Sequence, residues 1–164
     1  KLELGAGHRP TRGYSHNDIH PFPHIEHVGE AWMLDLLDNS LDEVLALAFV
    51  EHLTYDEARD TFRNVHRMLR PGGYFFFDVP DLTVWAGYYL NGGYPRAEVL
   101  KTLYGWQRWP GDEHKSGWDA ELVDEYLTEV GFTAKLGVEP FTRRTYRRRF
   151  ANPADAHIYV TATK

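Results

Sequence analysis

The chain opens with alternating polar and apolar residues, Lys1-Leu2-Glu3-Leu4, and runs straight into Gly5-Ala6-Gly7. Period-two alternation predicts a strand over about 1–5, and two glycines one residue apart predict a tight turn at its end. A polar loop, His8 to Gly13, leads to a second strand at about 14–19 that ends in Asn17-Asp18-Ile19. The prolines of His20-Pro21-Phe22-Pro23-His24 exclude a helix there. A short third strand at about 25–28 follows, then Gly29-Glu30-Ala31, and Asp38-Asn39-Ser40 reads as a turn. The apolar run 41–49 predicts a buried strand, bounded by Glu51-His52-Leu53.

Helical spacing takes over at Thr54. Thr54 and Glu57 stand at capping-box distance, and Ala58, Phe62, Val65 and Leu69 fall on one face. Arg70-Pro71-Gly72-Gly73 stops that helix, and 74–79 is the most strand-like run in the chain. The pattern loosens over 82–117, which is rich in Gly, Trp and Tyr and predicts one or two short helices. An amphipathic helix over 118–130 is closed by Gly131, and strands follow at about 132–139 and 157–163. This alternation predicts an α/β fold with a mainly parallel sheet.

Bulk composition narrows the setting. A length of 164 residues predicts one domain, 1–164, and 43% hydrophobic content marks a chain that folds. The net charge of −6 argues against a general polyanion binder. The absence of cysteine excludes disulfides and thiolate chemistry, and suits a cytoplasmic location. No apolar run approaches the roughly 18 residues that a membrane helix needs, and nothing in the sequence reads as a signal peptide.

With these elements in place, the residues resemble a known family, the class I S-adenosylmethionine (SAM)-dependent methyltransferases, in the compact group labelled methyltransferase type 11. The acidic-x-Gly-x-Gly motif is matched by Glu3-Leu4-Gly5-Ala6-Gly7, and the acidic residue ending strand two by Asp18. Gly29-Glu30-Ala31 stands before Asp38-Asn39-Ser40-Leu41-Asp42 at the family's spacing. Val50-Glu51-His52-Leu53, Arg67-Met68-Leu69-Arg70-Pro71-Gly72-Gly73 and His114-Lys115-Ser116-Gly117-Trp118 resemble its later motifs. The resemblance implies a Rossmann-like sheet with an antiparallel last strand. Two departures stand out. His8-Arg9-Pro10 replaces the third glycine, which argues against a nicotinamide dinucleotide and an oxidoreductase. Ten residues between Gly7 and Asp18 leave no room for a normal crossover helix. The helices of the amino-terminal half are therefore expected to be shortened or missing. A homodimer partner or the aromatic 82–110 segment is expected to cover the bared sheet face.

The resemblance also implies roles. Gly5, Ala6 and Gly7 pass the methionine end of SAM, and Glu3 orients their loop. Asp18, with Ile19 beside it, accepts from the ribose hydroxyls. Glu30 and the Ala31 N–H meet the adenine. Ala46 and Leu47 wall the methionine. His114 is the candidate base for an O or N nucleophile. The acceptor is expected to be a small molecule; a noncatalytic SAM-binding or scaffold subunit is the alternative. No metal is expected, because Pro21 and Pro23 deny the His16, His20 and His24 series a helical face. The arginines at 143–149 are expected to form a solvated hairpin, with nucleic acid as the less favoured partner.

Overall fold

A computed structural model describes residues 1–136 and 156–164. Seven strands form one sheet: β1 (Leu2–Leu4), β2 (Ser15–Asp18), β3 (His27–Val28), β4 (Leu41–Ala46), β5 (Leu69–Pro80), β6 (Thr133–Leu136) and β7 (His157–Thr163). Their spatial order is β3-β2-β1-β4-β5-β7-β6. All the pairings among β1 to β5 are parallel, whereas β7 runs antiparallel to both β5 and β6. The strand order reverses between β1 and β4, the kind of crevice where open α/β sheets bind ligands.

One sheet face carries the main core. Leu2, Leu4, Val44, Ala46, Phe75 and Phe77 are fully buried beneath helices α1 (Tyr55–Met68) and α4 (Ala120–Val130). Phe62 of α1 sets its ring 5.6 Å from Phe75 and 5.3 Å from Phe77. Burying such a ring is worth about 1.5–3 kcal/mol. Thr54 and Glu57 form the expected reciprocal capping box on α1. Asp119 caps α4 through the Leu122 N–H at 2.9 Å, so this helix starts two residues later than the pattern suggested. Leu69 caps α1 and leads directly into β5, because the chain end ties the Arg70–Gly73 segment down: Gly72 N–H donates to the Lys164 carbonyl at 2.9 Å.

The amino-terminal half is reduced, as the short connections require. Residues 5–14 and 19–26 contain no helix, and a single 3-10 turn, Ala31–Met33, precedes β4. On the core face, Trp32, Leu34 and Leu36 pack in where a crossover helix would lie. On the opposite face Tyr74 and Phe76 stack at 5.8 Å, with Tyr74 45% exposed. The aromatic segment does not serve that end of the sheet. Helices α2 (Leu82–Asn91) and α3 (Arg96–Tyr104) pack on each other and build a second small core from Trp85, Val99 and Ala156 beyond β5. The buried Trp85 Nε1–H donates to the Ala156 carbonyl at 2.9 Å and anchors this layer to β7. The predicted strand at 132–139 is described only to Leu136, and the 143–149 arginines lie outside the described residues.

Candidate functional site

Two polar clusters stand at the carboxyl ends of the strands, on either side of the reversal. The first is the glycine turn after β1. Gly5 adopts φ +60, and a Cβ there would meet the Phe49 ring at 2.3 Å. The position therefore needs glycine for both its conformation and its contact. Gly7 N–H donates to Asp18 Oδ2 at 2.9 Å, and His20 N–H donates to Asp18 Oδ1 at 2.9 Å. Ala6 N–H donates to the Asn17 carbonyl at 3.0 Å, and His24 Nε2 donates to the Gly7 carbonyl at 2.7 Å. The Pro-rich segment thus folds back onto the turn in place of a helix.

The expected cofactor residues divide into those that meet at this turn and those that stand apart from it. Gly7 and Asp18 are joined directly, and each Asp18 oxygen keeps lone-pair capacity beyond its one backbone bond. Glu3 is almost wholly buried and points into the following loop, accepting from Thr11 N–H at 2.6 Å and Thr11 Oγ1 at 2.9 Å. Ile19 is 52% exposed. Gly29 N–H bonds the Asp18 carbonyl, which brings exposed Glu30 to the same edge. Ala31 is buried in the 3-10 turn under α1, where its carbonyl accepts from Asn64 Nδ2 at 3.0 Å. Ala46 pairs with Leu4 and is buried at the end of β4, with Leu47 just beyond it.

Strand β4 ends at Ala46 and not at 49, for a local reason. Ala48 adopts φ +47, and its N–H turns to donate to Asp78 Oδ1 at 3.0 Å. Asp78 is fully buried, and its Oδ2 accepts from His157 Nδ1 at 3.0 Å. The turned chain then enters a 3-10 turn, Val50–His52, that carries Glu51 inward. Lys115 N–H and Ser116 N–H both donate to the Glu51 carbonyl, which docks the 113–116 segment on this turn. His114 arrives with that segment, its ring 4.8 Å from His52 at nearly a right angle.

This second cluster is electrostatically unusual. Burial, and then the neighbouring Asp78, push the Glu51 carboxyl well above the usual carboxylate range. Its Oε2 atom is buried and has no hydrogen-bond partner among the described residues. His52 Nδ1 donates to the Glu113 carbonyl at 3.1 Å, and burial lowers its pKa. Burial, with His52 next in weight, pushes His114 down to about 4. His114 is thus neutral at physiological pH and holds a proton poorly, so it offers a lone pair rather than a strong base. Asp78, Phe49 and the Glu51–His114 juxtaposition escaped sequence reading. The one signal for Asp78 was an acidic residue interrupting the apolar 74–79 run.

The comparisons agree with this architecture. A family profile described as "Methyltransferase domain" matches residues 14–77. No curated protein sequence matches the chain. Among solved structures, a SAM-dependent methyltransferase from Archaeoglobus fulgidus is similar at a TM-score of 0.64 and 17% identity, covering 99% of this chain and 85% of its own. One from Methanosarcina mazei gives a TM-score of 0.62 and 18% identity, covering 99% and 91%. The 1,6-didemethyltoxoflavin-N1-methyltransferase of Burkholderia thailandensis gives 0.63 and 19%, covering 99% and 69%. Strand order and the glycine turn with Asp18 give the chain the fold of the class I SAM-dependent methyltransferases, and residues 14–77 are similar to the methyltransferase domain family.

Proposed function

We propose that the chain transfers the sulfonium methyl group of SAM to an O or N nucleophile of a small-molecule acceptor, within one domain spanning 1–164. The observation that carries this reading is the pairing of the glycine turn with the Asp18 carboxylate beside the β1/β4 reversal. Gly5, Ala6 and Gly7 pass the methionine end, while Glu3 holds the loop by gripping Thr11. Asp18, with Ile19 alongside, takes the ribose diol. Glu30 accepts from the adenine amino group and the Ala31 N–H faces a ring nitrogen. Ala46 and Leu47 wall the methionine. The reaction is a direct displacement, so the protein's task is to align nucleophile, methyl and sulfur. The acceptor side is the Glu51, His52 and His114 cluster, where His114 supplies a neutral lone pair to the nucleophile.

A small acceptor is supported by the Burkholderia enzyme, which was solved with bound 1,6-didemethyltoxoflavin and S-adenosylhomocysteine. Exposed Tyr74, stacked on half-buried Phe76, supports a second reading, a homodimer or a noncatalytic subunit of a larger assembly; a similar fold occurs in a Haloferax volcanii putative methyltransferase solved in complex with the Trm112 activator. Lack of cysteine supports a cytoplasmic setting, and no helix among the described residues is long and apolar enough to cross a membrane.

Calorimetric titration with SAM, S-adenosylhomocysteine and NAD tests the cofactor reading. SAM and its product are expected to bind and NAD is not. Asp18→Ala is expected to weaken SAM by about 1–3 kcal/mol, the scale of charged hydrogen bonds. Unchanged SAM affinity in that variant removes the ribose role. Binding without turnover on any screened acceptor moves the noncatalytic subunit to the front.

A further inference from the structure

The second cluster has the composition and orientation of a metal centre. We propose that Glu51, His52 and His114 bind one divalent transition-metal ion of the zinc class, leaving an open position for an acceptor oxygen.

Three observations converge on this site. One ligand atom from each of the three residues lies within 4.8 Å of the other two. Zinc takes nitrogen and carboxylate oxygen at about 2.0–2.2 Å in a tetrahedral arrangement, so neighbouring ligand atoms stand about 3.4 Å apart. A contraction of at most about 1.5 Å, within reach of side-chain rotation, closes the site.

The His52 imidazole is already oriented. A backbone carbonyl only accepts, so His52 Nδ1 must carry its proton toward Glu113, which leaves Nε2 with a free lone pair. The His114 ring stands 4.8 Å from that of His52 at nearly a right angle, on the same side of the turn as Glu51. A carbonyl behind a ligating histidine, as Glu113 stands behind His52, is a usual outer partner in metal sites.

The carboxylate supplies the third argument. Glu51 is only 2% exposed, and its buried Oε2 has no partner among the described residues. Such an atom costs about 1–3 kcal/mol when left unpaired, so its retention needs a reason. A divalent ion on Glu51 gives that oxygen its partner.

Ligand chemistry narrows the ion. Two imidazoles and one carboxylate suit zinc, iron, cobalt or nickel, whereas magnesium and calcium favour all-oxygen sites. Three protein ligands leave coordination positions open, as catalytic sites require. Both histidines are partly exposed, which gives the ion and an acceptor access.

The role of the ion, though not its site, rests on the methyl-transfer reading. With the ion bound, the His114 lone pair is on the metal, so a hydroxyl of the acceptor at the open position becomes more acidic and releases its proton to solvent rather than to His114. Its oxygen lone pair then forms the new O–CH3 bond, while the S–CH3 bonding pair returns to sulfur. The products are the methyl ether, S-adenosylhomocysteine and one proton.

The test uses the untagged full chain, stripped with EDTA and titrated with Co2+ alone and with Zn2+ alone. The wild type is expected to bind one equivalent of Co2+ with visible d–d absorption of a mixed N/O site, and Zn2+ is expected to displace it. Glu51→Gln and His114→Ala are each expected to weaken Co2+ binding at least about 100-fold, beyond the 10–100-fold typical of outer-shell changes. Glu51→Gln keeps the side-chain shape and decides between the outcomes if circular dichroism shows that His114→Ala misfolds. Absence of stoichiometric Co2+ binding by the wild type overturns the proposal. So does unchanged affinity in a folded Glu51→Gln variant, which removes Glu51 from the ligand set. SAM titration of the metal-free protein separates the two readings: SAM binding without Co2+ binding removes the metal site alone. Co2+ binding without SAM binding keeps the site and removes its methyl-transfer role.

Discussion

At the ends of β1 and β2 the buried carboxylates hold the backbone. Asp18 accepts from Gly7 and His20, and Glu3 accepts twice from Thr11. Across the strand reversal, at the end of β4, Glu51 presents a buried oxygen to no donor among the described residues. The two clusters share a position in the fold and a chemistry of acids and imidazoles. They differ in whether the protein itself uses the lone pairs. In the first, carboxylates replace missing helices as the device that fixes the loops. In the second, the fold carries an unsatisfied group next to a non-glycine residue of positive φ, and such costs gather where a ligand repays them.

Breaking the second cluster mechanically is expected to have the largest effect. Gly105 holds the 105–114 loop closed at φ +79, and a Cβ there would lie 2.2 Å from the Asp112 carbonyl and 2.7 Å from His114 N. All the atoms it meets are backbone, so none can rotate away. Gly105→Ala is expected to cost about 2–5 kcal/mol in denaturant unfolding, combining left-handed strain with overpacking. Gly5→Ala meets the Phe49 side chain, which can shift, and is expected to cost less. An equal loss at both positions would mean that the loop bearing His114 is no more rigidly held than the glycine turn.

The next pair should show opposite signs. Asp18→Asn trades an ionised acceptor of two backbone N–H groups for an amide with one acceptor oxygen, which leaves a donor facing a donor. A loss of about 1–3 kcal/mol is expected, the scale for hydrogen bonds to charged groups. Glu51→Gln in metal-free protein removes a carboxyl that burial, and then Asp78, force to take up a proton on folding, and whose Oε2 has no partner among the described residues. Relief of that protonation cost is expected to stabilise the fold by about 1 kcal/mol near neutral pH, because the unfolded chain leaves the acid ionised there whereas Gln carries no such linkage. Thermal melts of both variants after EDTA treatment check the signs. Destabilisation by both would mean that Glu51 is as much a structural acid as Asp18.

How far each cluster was legible in the sequence follows from chain separation. Gly7 and Asp18 stand 11 positions apart, and a short loop joins them, so the turn and its acid read out of one stretch. The capping box of α1 spans three positions and was equally plain. The second cluster is assembled by tertiary contacts: His52 meets Glu113 across 61 positions, and Asp78 meets His157 across 79. Periodicity carries no information over such distances, so Glu51-His52 read only as a motif and Asp78 as an interruption in a strand. The early end of β4 was hidden for the same reason, since the bond that turns Ala48 comes from a neighbouring strand. Nor could periodicity say where the aromatic 82–110 residues would settle, because an exposed sheet face attracts them no more than each other.

The smallest expected effect concerns that turn. Ala48 sits at φ +47, in the left-handed region where a Cβ crowds the following carbonyl at a cost of about 1–2 kcal/mol. Its N–H bond to Asp78 Oδ1 at 3.0 Å offsets that cost and aims the chain into the turn that carries Glu51. Ala48→Gly relieves the crowding and keeps the N–H, but gives the unfolded chain more freedom by about 0.4–1 kcal/mol. A net gain of about 0.5 kcal/mol is therefore expected in denaturant unfolding. The Co2+ affinity offers the sharper reading. Stability that rises while affinity falls would show that the strained turn holds Glu51 in place for its ligand. Stability that rises with affinity unchanged would show that the Asp78 bond alone suffices to set the turn.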